Sequence, residues 1–385
     1  MIPRIMGGLV VALAVASCGG VGAPLAISSP ARSAVATTPA QTSDPSPVPV
    51  LPPSLMCPGH YQAGHPLVTA LTHSQAGYDS LAVLDVAEPL APSLVCTINH
   101  SPYPLQPIQW LSPSEFALLF DGQPARLVSV DVGHRSITAI RDVNGEARLS
   151  RDRAWLVTME AGTGGTRAVR LYGPAGDRTL ATYPPALGHG GTIYGFGGPT
   201  IGFSPDGSLV LAVDSEANYA DPTVPDLRVF DLQGSLVLSV ARGLWAVWLN
   251  AALYYSGGYG NVYRWVRGTS PVAIMQSDWF EPTVSPDGQS IAYLTNPGYA
   301  YKLNVLNTRS GIATTLQTSG PRIYPLFVDS SLIWSGELQT CDNCYGGTNS
   351  TGNVFAYDLS TGSEHEVNLP VLLNPLAGAS LSSGP

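Results

Sequence analysis

Short runs of alternating apolar and polar residues recur along the chain between about residue 60 and residue 370, and turn-forming residues separate them. In Leu209–Val213 the large apolar residues Leu209, Leu211 and Val213 stand at every second position, which is the period of a half-buried strand. This run follows Ser204-Pro-Asp-Gly207, where proline presets an early turn position and glycine accepts the positive φ that closes the turn. The stretch from Gly202 to Asp214 is therefore predicted to be a β-hairpin.

The same hairpin recurs at a regular interval. A second clear copy spans Thr283–Thr295 and contains Ser-Pro-Asp-Gly at the corresponding place. Degenerate copies keep an apolar residue, a turn and a following strand, and the copies start on average about 44 residues apart. The degenerate copies are Tyr61–Ala70, which is the weakest, Leu111–Phe120, Leu149–Thr158, Trp248–Tyr255 and Phe327–Trp334.

A second hairpin is predicted in each repeat, because an apolar run ends in an acidic or amide residue just before a turn. Four short strands in about 40 to 50 residues are the period of a β-propeller blade, and such a blade needs neighbours to cover its faces. We predict an all-β propeller of about seven four-stranded blades, with six or eight as alternatives, and expect the tail Val371–Leu381 to complete the first blade. The first strands of these second hairpins are predicted to end at Leu84–Val86, Val130–Val132, Phe230–Leu232, Leu306–Thr308 and Tyr357–Leu359.

The two turn types together resemble a known repeat. Ser-Pro-Asp-Gly, with Tyr357-Asp-Leu-Ser-Thr-Gly362 farther along, is similar to the WD40-like Pro-Asp (PD40) repeats of TolB-type propellers, over residues 60 to 370. The combined Gly-His and Trp-Asp signature of eukaryotic WD40 repeats is absent, because no Trp-Asp dipeptide follows the Gly-His dipeptides of this chain. By analogy only, the resemblance implies scaffolding or sensing in a cell envelope.

The first residues of the chain predict a signal for export and not a part of the folded domain. Arg4 precedes the apolar segment Ile5–Ala16, and Val15-Ala-Ser-Cys18 resembles the lipobox of bacterial lipoproteins, in which the cysteine is acylated. An ordinary secretory signal is the alternative. We therefore expect a signal peptide at 1–17, a Pro/Ser/Thr/Ala-rich disordered tether at 18–54 and a propeller domain at 55–385, anchored by lipid to the extracytoplasmic face of a bacterial membrane.

Charge and cysteine content narrow the function. A formal net charge of −9 with one lysine, Lys302, argues against nucleic-acid binding, and a basic run at 141–153 is interpreted as a solvated rim.

Four cysteines remain after Cys18, and an even number in an exported chain indicates disulfides. The simplest of the three pairings joins neighbours in sequence, and a redox or zinc role for the last two is the alternative. The expected pairs are Cys57 with Cys96 and Cys341 with Cys344.

The predicted topology puts the long connections on one face of the ring. Short turns close both hairpins of a blade at one end, whereas the longer segments 184–199, 214–226 and 336–353 lie at the other. These segments are rich in aromatic residues, which suit a protein, peptide or glycan partner unless they turn inward to seal the channel. The predicted binding residues are Tyr194, Phe196, Tyr219, Tyr259, Tyr299 and Tyr345, with Tyr301, Trp279 and Phe280 nearby.

No catalytic motif is found: Gly-x-Ser-x-Gly does not occur, and the seven histidines are scattered. Asp214, Glu216, Asp221 and Asp226 form an acidic segment that is either a calcium site or, more simply, a solvated loop. We predict a monomeric, non-catalytic binding scaffold with no cofactor or metal. The alternative is a lactonase-, glycosidase- or lyase-like enzyme that uses Asp214, Glu216 and Asp278 at the channel mouth.

Overall fold

The computed structural model describes residues 54–72, 80–99, 105–120, 125–185, 200–214, 217–257, 260–295, 301–339, 349–371, 373 and 380–382. All belong to a compact unit, Pro49–Pro385. Within these residues no helix is long and apolar enough to cross a membrane.

The described chain forms seven antiparallel sheets in sequence order, which confirms the predicted seven-bladed propeller. Blade 1 contains β1 Ser54–Met56, β2 Leu67–Thr72, β3 Ser80–Asp85 and β4 Ser93–Asn99. Blade 2 contains β5 Leu105–Ser112, β6 Glu115–Phe120, β7 Ala125–Asp131 and β8 Ser136–Val143. Blade 3 contains β9 Gly145–Leu149, β10 Leu156–Ala161, β11 Arg167–Tyr172 and β12 Arg178–Tyr183.

Blade 4 contains β13 Thr200–Phe203, β14 Leu209–Val213, helix α1 Ala217–Ala220, β15 Leu227–Asp231 and β16 Leu236–Val240. Blade 5 contains β17 Leu244–Leu249, β18 Ala252–Ser256, β19 Asn261–Val266 and β20 Val272–Gln276. Blade 6 contains β21 Phe280–Val284, β22 Ser290–Thr295, β23 Lys302–Asn307 and β24 Ile312–Thr315. Blade 7 contains β25 Arg322–Phe327, β26 Leu332–Gln339, β27 Asn349–Asp358 and β28 Ser363–Glu366. The first strands of neighbouring sheets contact one another, as β17, β21 and β25 do, so they form the inner ring.

The ring closes through a strand from the end of the chain, as predicted. Strand β29, Ser380–Leu381, pairs with β2 and is the inner strand of blade 1. Ser382 donates its N–H to the Leu67 carbonyl at 2.8 Å, and its hydroxyl accepts the Leu67 N–H at 2.7 Å. The degenerate copy at Tyr61–Ala70 is thus only half correct, because its second half is β2 while β29 replaces its first strand.

The first turn of a blade repeats one hydrogen-bond pattern in three blades. A serine hydroxyl donates to the carboxylate two residues ahead at 2.6 Å and accepts the N–H five residues ahead at 2.9 Å. The glycine of Ser-Pro-Asp-Gly has a positive φ, and Arg153 adopts the same conformation at 59° in the degenerate copy. Local turn chemistry therefore survives where the sequence has diverged. The serines are Ser150, Ser204 and Ser285.

The second turn relies on the acidic or amide residue that the sequence places there. Asp231 Oδ1 accepts the N–H groups of Gln233 and Ser235, and Asn307 Oδ1 accepts those of Arg309 and Ser310. Short polar side chains that bond to nearby backbone amides favour such turns over continued strand.

The apolar core lies between the blades. Among the described residues, seven clusters of buried side chains each draw on two neighbouring blades, and together they run around the ring. Trp334 of blade 7 is fully buried against blade 1, where its indole N–H donates to the Pro89 carbonyl at 3.1 Å. The sheets are therefore held by their neighbours, as the repeat pattern implied.

A disulfide joins Cys57 to Cys96 and ties the chain after β1 to β4, which is the expected pair. Strand β1 extends the outer edge of blade 1 by pairing Ser54 with Asn99. Cys18, Cys341 and Cys344 lie outside the described residues, so lipidation and the second disulfide stay predictions.

Candidate functional site

Most of the predicted binding residues cannot be placed. Tyr194, Phe196, Tyr259, Tyr299 and Tyr345 lie outside the described residues, and so does the side chain of Tyr219, whose backbone belongs to α1. Their role in binding stays a prediction. Phe280, Trp279 and Tyr301 are described, and all three lie at the end of blade 6 where the long connections occur.

Three successive inner strands share one irregularity. In the first part of β17, β21 and β25, the inner strand has one more residue than the segment of the partner strand that lies opposite. Each of the three strands therefore contains a β-bulge. Strands β9 and β13 pair with their neighbours without a break in register, and β5 has register shifts but no residue with a positive φ. The propeller can therefore be built without these bulges, and β-bulges often lie beside functional sites, where they redirect a side chain.

Each bulge holds a large residue in a left-handed conformation. The φ angles are 48° at Trp245, 49° at Glu281 and 51° at Tyr324. The Cβ atom makes this region unfavourable, and each such residue costs on the order of 1 to 3 kcal/mol, which the surrounding structure has to offset. The same strain thus occurs at three equivalent positions, and strain of this kind is concentrated at functional sites.

Aromatic rings connect the bulges of β17 and β21. The Phe280 ring stands 6.0 Å from the Trp245 ring at 76°, and 6.5 Å from the Tyr301 ring at 89°. Trp279 is buried and holds Trp245 in place by donating its indole N–H to the Trp245 carbonyl at 2.9 Å. We call the five partly exposed residues Trp245, Phe280, Glu281, Tyr301 and Tyr324 the bulge cluster.

Glu281 is the ionisable group at the centre of the bulge cluster. Its carboxylate accepts the main-chain N–H of Tyr324 at 2.8 Å. Burial raises the pKa of Glu281 to about 7, and the Tyr324 hydrogen bond only partly opposes this effect. Burial, and then the nearby Glu281 charge, raises the pKa of Tyr301. A carboxyl group that titrates near neutrality is common at functional sites.

Sequence reasoning missed Glu281. Its only signal was an acidic residue inside the otherwise apolar first strand of a blade, Phe280-Glu-Pro-Thr-Val284. A second such residue, Glu146, lies in β9, where burial raises its pKa and Arg148 only partly offsets the effect. Glu146 and Glu281 both precede the turn serine of their blade by four residues.

The predicted acidic segment is largely structural. Asp214 is buried and forms a 2.9 Å ion pair with Arg167, which links blade 4 to blade 3. Asp221 accepts the Thr223 N–H and hydroxyl within a turn, and Asp226 is buried. No three potential metal ligands come together among the described residues. Asp278 is exposed and Glu216 lies outside the described residues, so the proposed catalytic use of Asp214 is not supported.

The predicted basic rim is also only partly correct. Arg148 is largely buried in the inner strand β9, where burial lowers its pKa. Arg153 pairs with Glu115 of blade 2, and Arg141 stacks 4.0 Å from the centre of the Tyr172 ring of blade 3. Two of these arginines therefore join neighbouring blades, which sequence spacing could not reveal.

Comparison with known proteins supports the fold. No protein-family model and no curated protein matches the chain. A protein from Bacteroides uniformis, provisionally named a 6-phosphogluconolactonase, has 13% identity, covers 83% of this chain and 100% of its own, and has a TM-score of 0.53. TolB from Acinetobacter baumannii has 14% identity, covers 82% of each chain, and has a TM-score of 0.41.

An oligogalacturonate lyase in complex with manganese has 12% identity, covers 78% of this chain and 84% of its own, and has a TM-score of 0.48. Structures similar to this chain thus include named enzymes as well as TolB. At such identities the similarity establishes the propeller fold alone, and function has to be argued from the site.

Proposed function

We propose that the protein is a non-catalytic propeller that captures a partner at the end of the ring where the long connections lie, with the bulge cluster as its contact surface. The observation that carries this proposal is the bulge with a strained, large residue in three successive inner strands. Since β9 and β13 form inner strands without such a bulge, the fold alone does not account for this cost.

The chemistry of the bulge cluster suits recognition. Tryptophan, phenylalanine and tyrosine offer broad apolar contact, and they are enriched in binding interfaces. All five residues of the cluster are partly exposed, so they can contact a partner without unfolding. A protein, a peptide or a glycan of the cell envelope would fit this surface.

The proposed location is the extracytoplasmic face of a bacterial membrane, with the protein held by a lipid on Cys18. Its support is the lipobox-like Val15-Ala-Ser-Cys18 and the polar, proline-rich segment that follows. The Cys57–Cys96 disulfide agrees with an oxidising compartment. Metabolic labelling with a fatty acid should mark the protein, and Cys18→Ala should abolish the label.

Capture from envelope extracts tests the binding proposal. Purified protein should retain a specific partner, and Phe280→Ala combined with Tyr301→Ala should abolish retention. Ile312→Ala is the matched control, because Ile312 is an exposed residue on the outer strand of the same blade. Equal capture by the double variant and the wild type would refute the assignment to this cluster.

A second candidate function is enzymatic. It is favoured by Glu281, because a carboxyl group with a pKa of about 7 can both donate and accept a proton at neutral pH. A panel of lactones and uronate-containing oligosaccharides would test it. Turnover with an inflection near pH 7 that Glu281→Gln removes would replace the binding proposal by this one.

A further inference from the structure

We propose that the bulge cluster binds an organic ammonium group, with the aromatic rings around its carbon atoms and Glu281 as its counter-ion. This inference rests on the proposed function, since it names the chemical group by which a partner would occupy the same cluster. The group could be a lysine side chain or a quaternary ammonium, because both carry a positively charged nitrogen bonded to alkyl carbon, which an aromatic ring face can contact.

The ring geometry carries the first step. Trp245 and Tyr301 each stand at a steep angle to Phe280, with ring centres 6.0 Å and 6.5 Å from the Phe280 ring centre. Adjacent walls that face one position have such angles and separations, and we assign the three rings to that arrangement. The face of an aromatic ring is the negative part of its quadrupole, and tryptophan attracts cations most strongly. Several ring faces set around one position are the arrangement by which proteins recognise ammonium groups.

The second step is a partly buried acid for which the described residues supply no cation. No described residue forms an ion pair with Glu281, whose carboxylate is bonded by the Tyr324 N–H. Strands β17 and β22, which flank β21, contain no charged residue. A bound cation would supply the charge that this carboxyl group lacks.

Nearby cations of the chain do not fill this role. Arg322 of β25 is fully buried in an ion pair with Glu364, and its guanidinium lies 3.9 Å from the centre of the Phe355 ring. Lys302 of β23 is exposed. The other titratable groups on the adjoining segments are the exposed carboxylate of Asp278 and the hydroxyls of Tyr293, Tyr301 and Tyr324. None of them can carry a positive charge, so none can balance the Glu281 carboxylate.

Protonation then couples to binding. Glu281 is half protonated near pH 7, and only its ionised form attracts a cation. The affinity for an ammonium ligand should rise as the pH increases through 7, with release of a proton on binding below that pH. Burial of Tyr301 keeps its hydroxyl protonated over this range, so it should not contribute to the pH dependence.

Titration calorimetry with small probes tests the inference on the full chain. Choline and n-butylammonium are compared at pH 8 with 3,3-dimethylbutan-1-ol, which has the shape of choline without its charge. At least one cation should bind more than about tenfold more tightly than the alcohol, as a desolvated cation–π contact with a counter-ion predicts. Preference for n-butylammonium would identify a lysine-like source, and preference for choline a quaternary one.

Glu281→Gln provides the decisive variant, because the amide keeps an acceptor for the Tyr324 N–H but loses the charge. It should weaken cation binding about tenfold at pH 8 and abolish its dependence on pH between 5.5 and 8. Asp278→Asn is the control, since this exposed carboxylate is three residues away and should have no effect. A thermal unfolding curve of each variant establishes that it is folded.

Equal affinity for choline and the alcohol, or cation binding unchanged in Glu281→Gln, would overturn the inference. These failures are distinct from failure of the proposed function. If envelope capture depends on Phe280 and Tyr301 but no ammonium probe binds, the bulge cluster is still the contact surface, and the proposal that it binds an ammonium group is wrong. If ammonium binds but capture does not need these residues, the cluster takes a small ligand and the partner binds elsewhere.

Discussion

The main-chain N–H of Tyr324 donates a 2.8 Å hydrogen bond to the Glu281 carboxylate, and this bond joins the inner strands of blades 6 and 7. Both residues have a φ near +50°, so the bond connects two bulges of the same kind. An ionisable side chain therefore takes part in the contact between two blades, which makes that contact sensitive to pH.

Glu281→Gln should stabilise the protein in alkaline solution. The folded pKa of about 7 lies above the ordinary value of 4.5, so the folded state holds more protons between these values and stability falls as the pH rises through them. The variant should match the wild type near pH 4 and exceed it at pH 8 by up to about 3 kcal/mol. Urea unfolding at the two pH values measures the difference, and an equal gain at both would contradict the assignment.

Arg322→Leu should destabilise the protein strongly. Arg322 donates two hydrogen bonds to Glu364, and its removal would leave that largely buried carboxylate with only Ser319. Breaking such a buried pair costs about 3 to 5 kcal/mol. Denaturant unfolding measures this loss.

The double variant Arg322→Leu with Glu364→Leu should recover much of that stability, because no unpaired charge remains. Arg126→Leu is the matched control: its ion pair with Asp142 is exposed and should contribute less than about 1 kcal/mol. Equal losses in the control and in Arg322→Leu would show that the buried pair has no special role.

Ser204→Ala should cost about 1 to 2 kcal/mol. The hydroxyl both accepts the buried Leu209 N–H and donates to Asp206, whose pKa it holds below the usual value. Thermal unfolding of this variant is compared with that of Ser208→Ala, an outer hydroxyl of the same turn. Similar effects of the two substitutions would argue against the pattern shared by three blades.

Ser382→Ala tests the closure of the ring. The Leu67 N–H is bonded by the Ser382 hydroxyl in a buried position, so the alanine should leave it without an acceptor at a cost of about 1 to 3 kcal/mol. Hydrogen exchange should become faster at Leu67 and not at Leu211, which lies within blade 4. Unchanged exchange at Leu67 would indicate that closure does not depend on this contact.

Much of the fold could be predicted because its information is local. The Ser204 turn and its copies mark where strands end, and the distance in sequence between copies is long enough for the four strands that each blade has. Blade 1 was predicted only in part. The tail was correctly expected to complete it, but the copy at Tyr61–Ala70 was assigned both strands of a hairpin, whereas the inner strand, Ser380–Leu381, comes from more than 300 residues away.

The site was harder to predict, because its defining feature is a mismatch in length between paired strands. Nothing in Trp245 or Tyr324 alone shows that a residue is extra; this depends on which residues their partner strands place opposite. Similarly, the sequence left Asp214 as part of a solvated loop or as a ligand, whereas the structure buries it in an ion pair with Arg167 of the neighbouring blade. Loop composition indicated which face to examine, and three-dimensional pairing identified which residues meet there.

Every apolar cluster of the described chain is formed by two sheets, so no blade alone buries enough apolar surface to be stable by itself. Melting one blade would expose the flanks of both neighbours, so damage should spread around the ring. We therefore expect the seven sheets to unfold cooperatively, in a single transition, although each is a separate repeat in sequence.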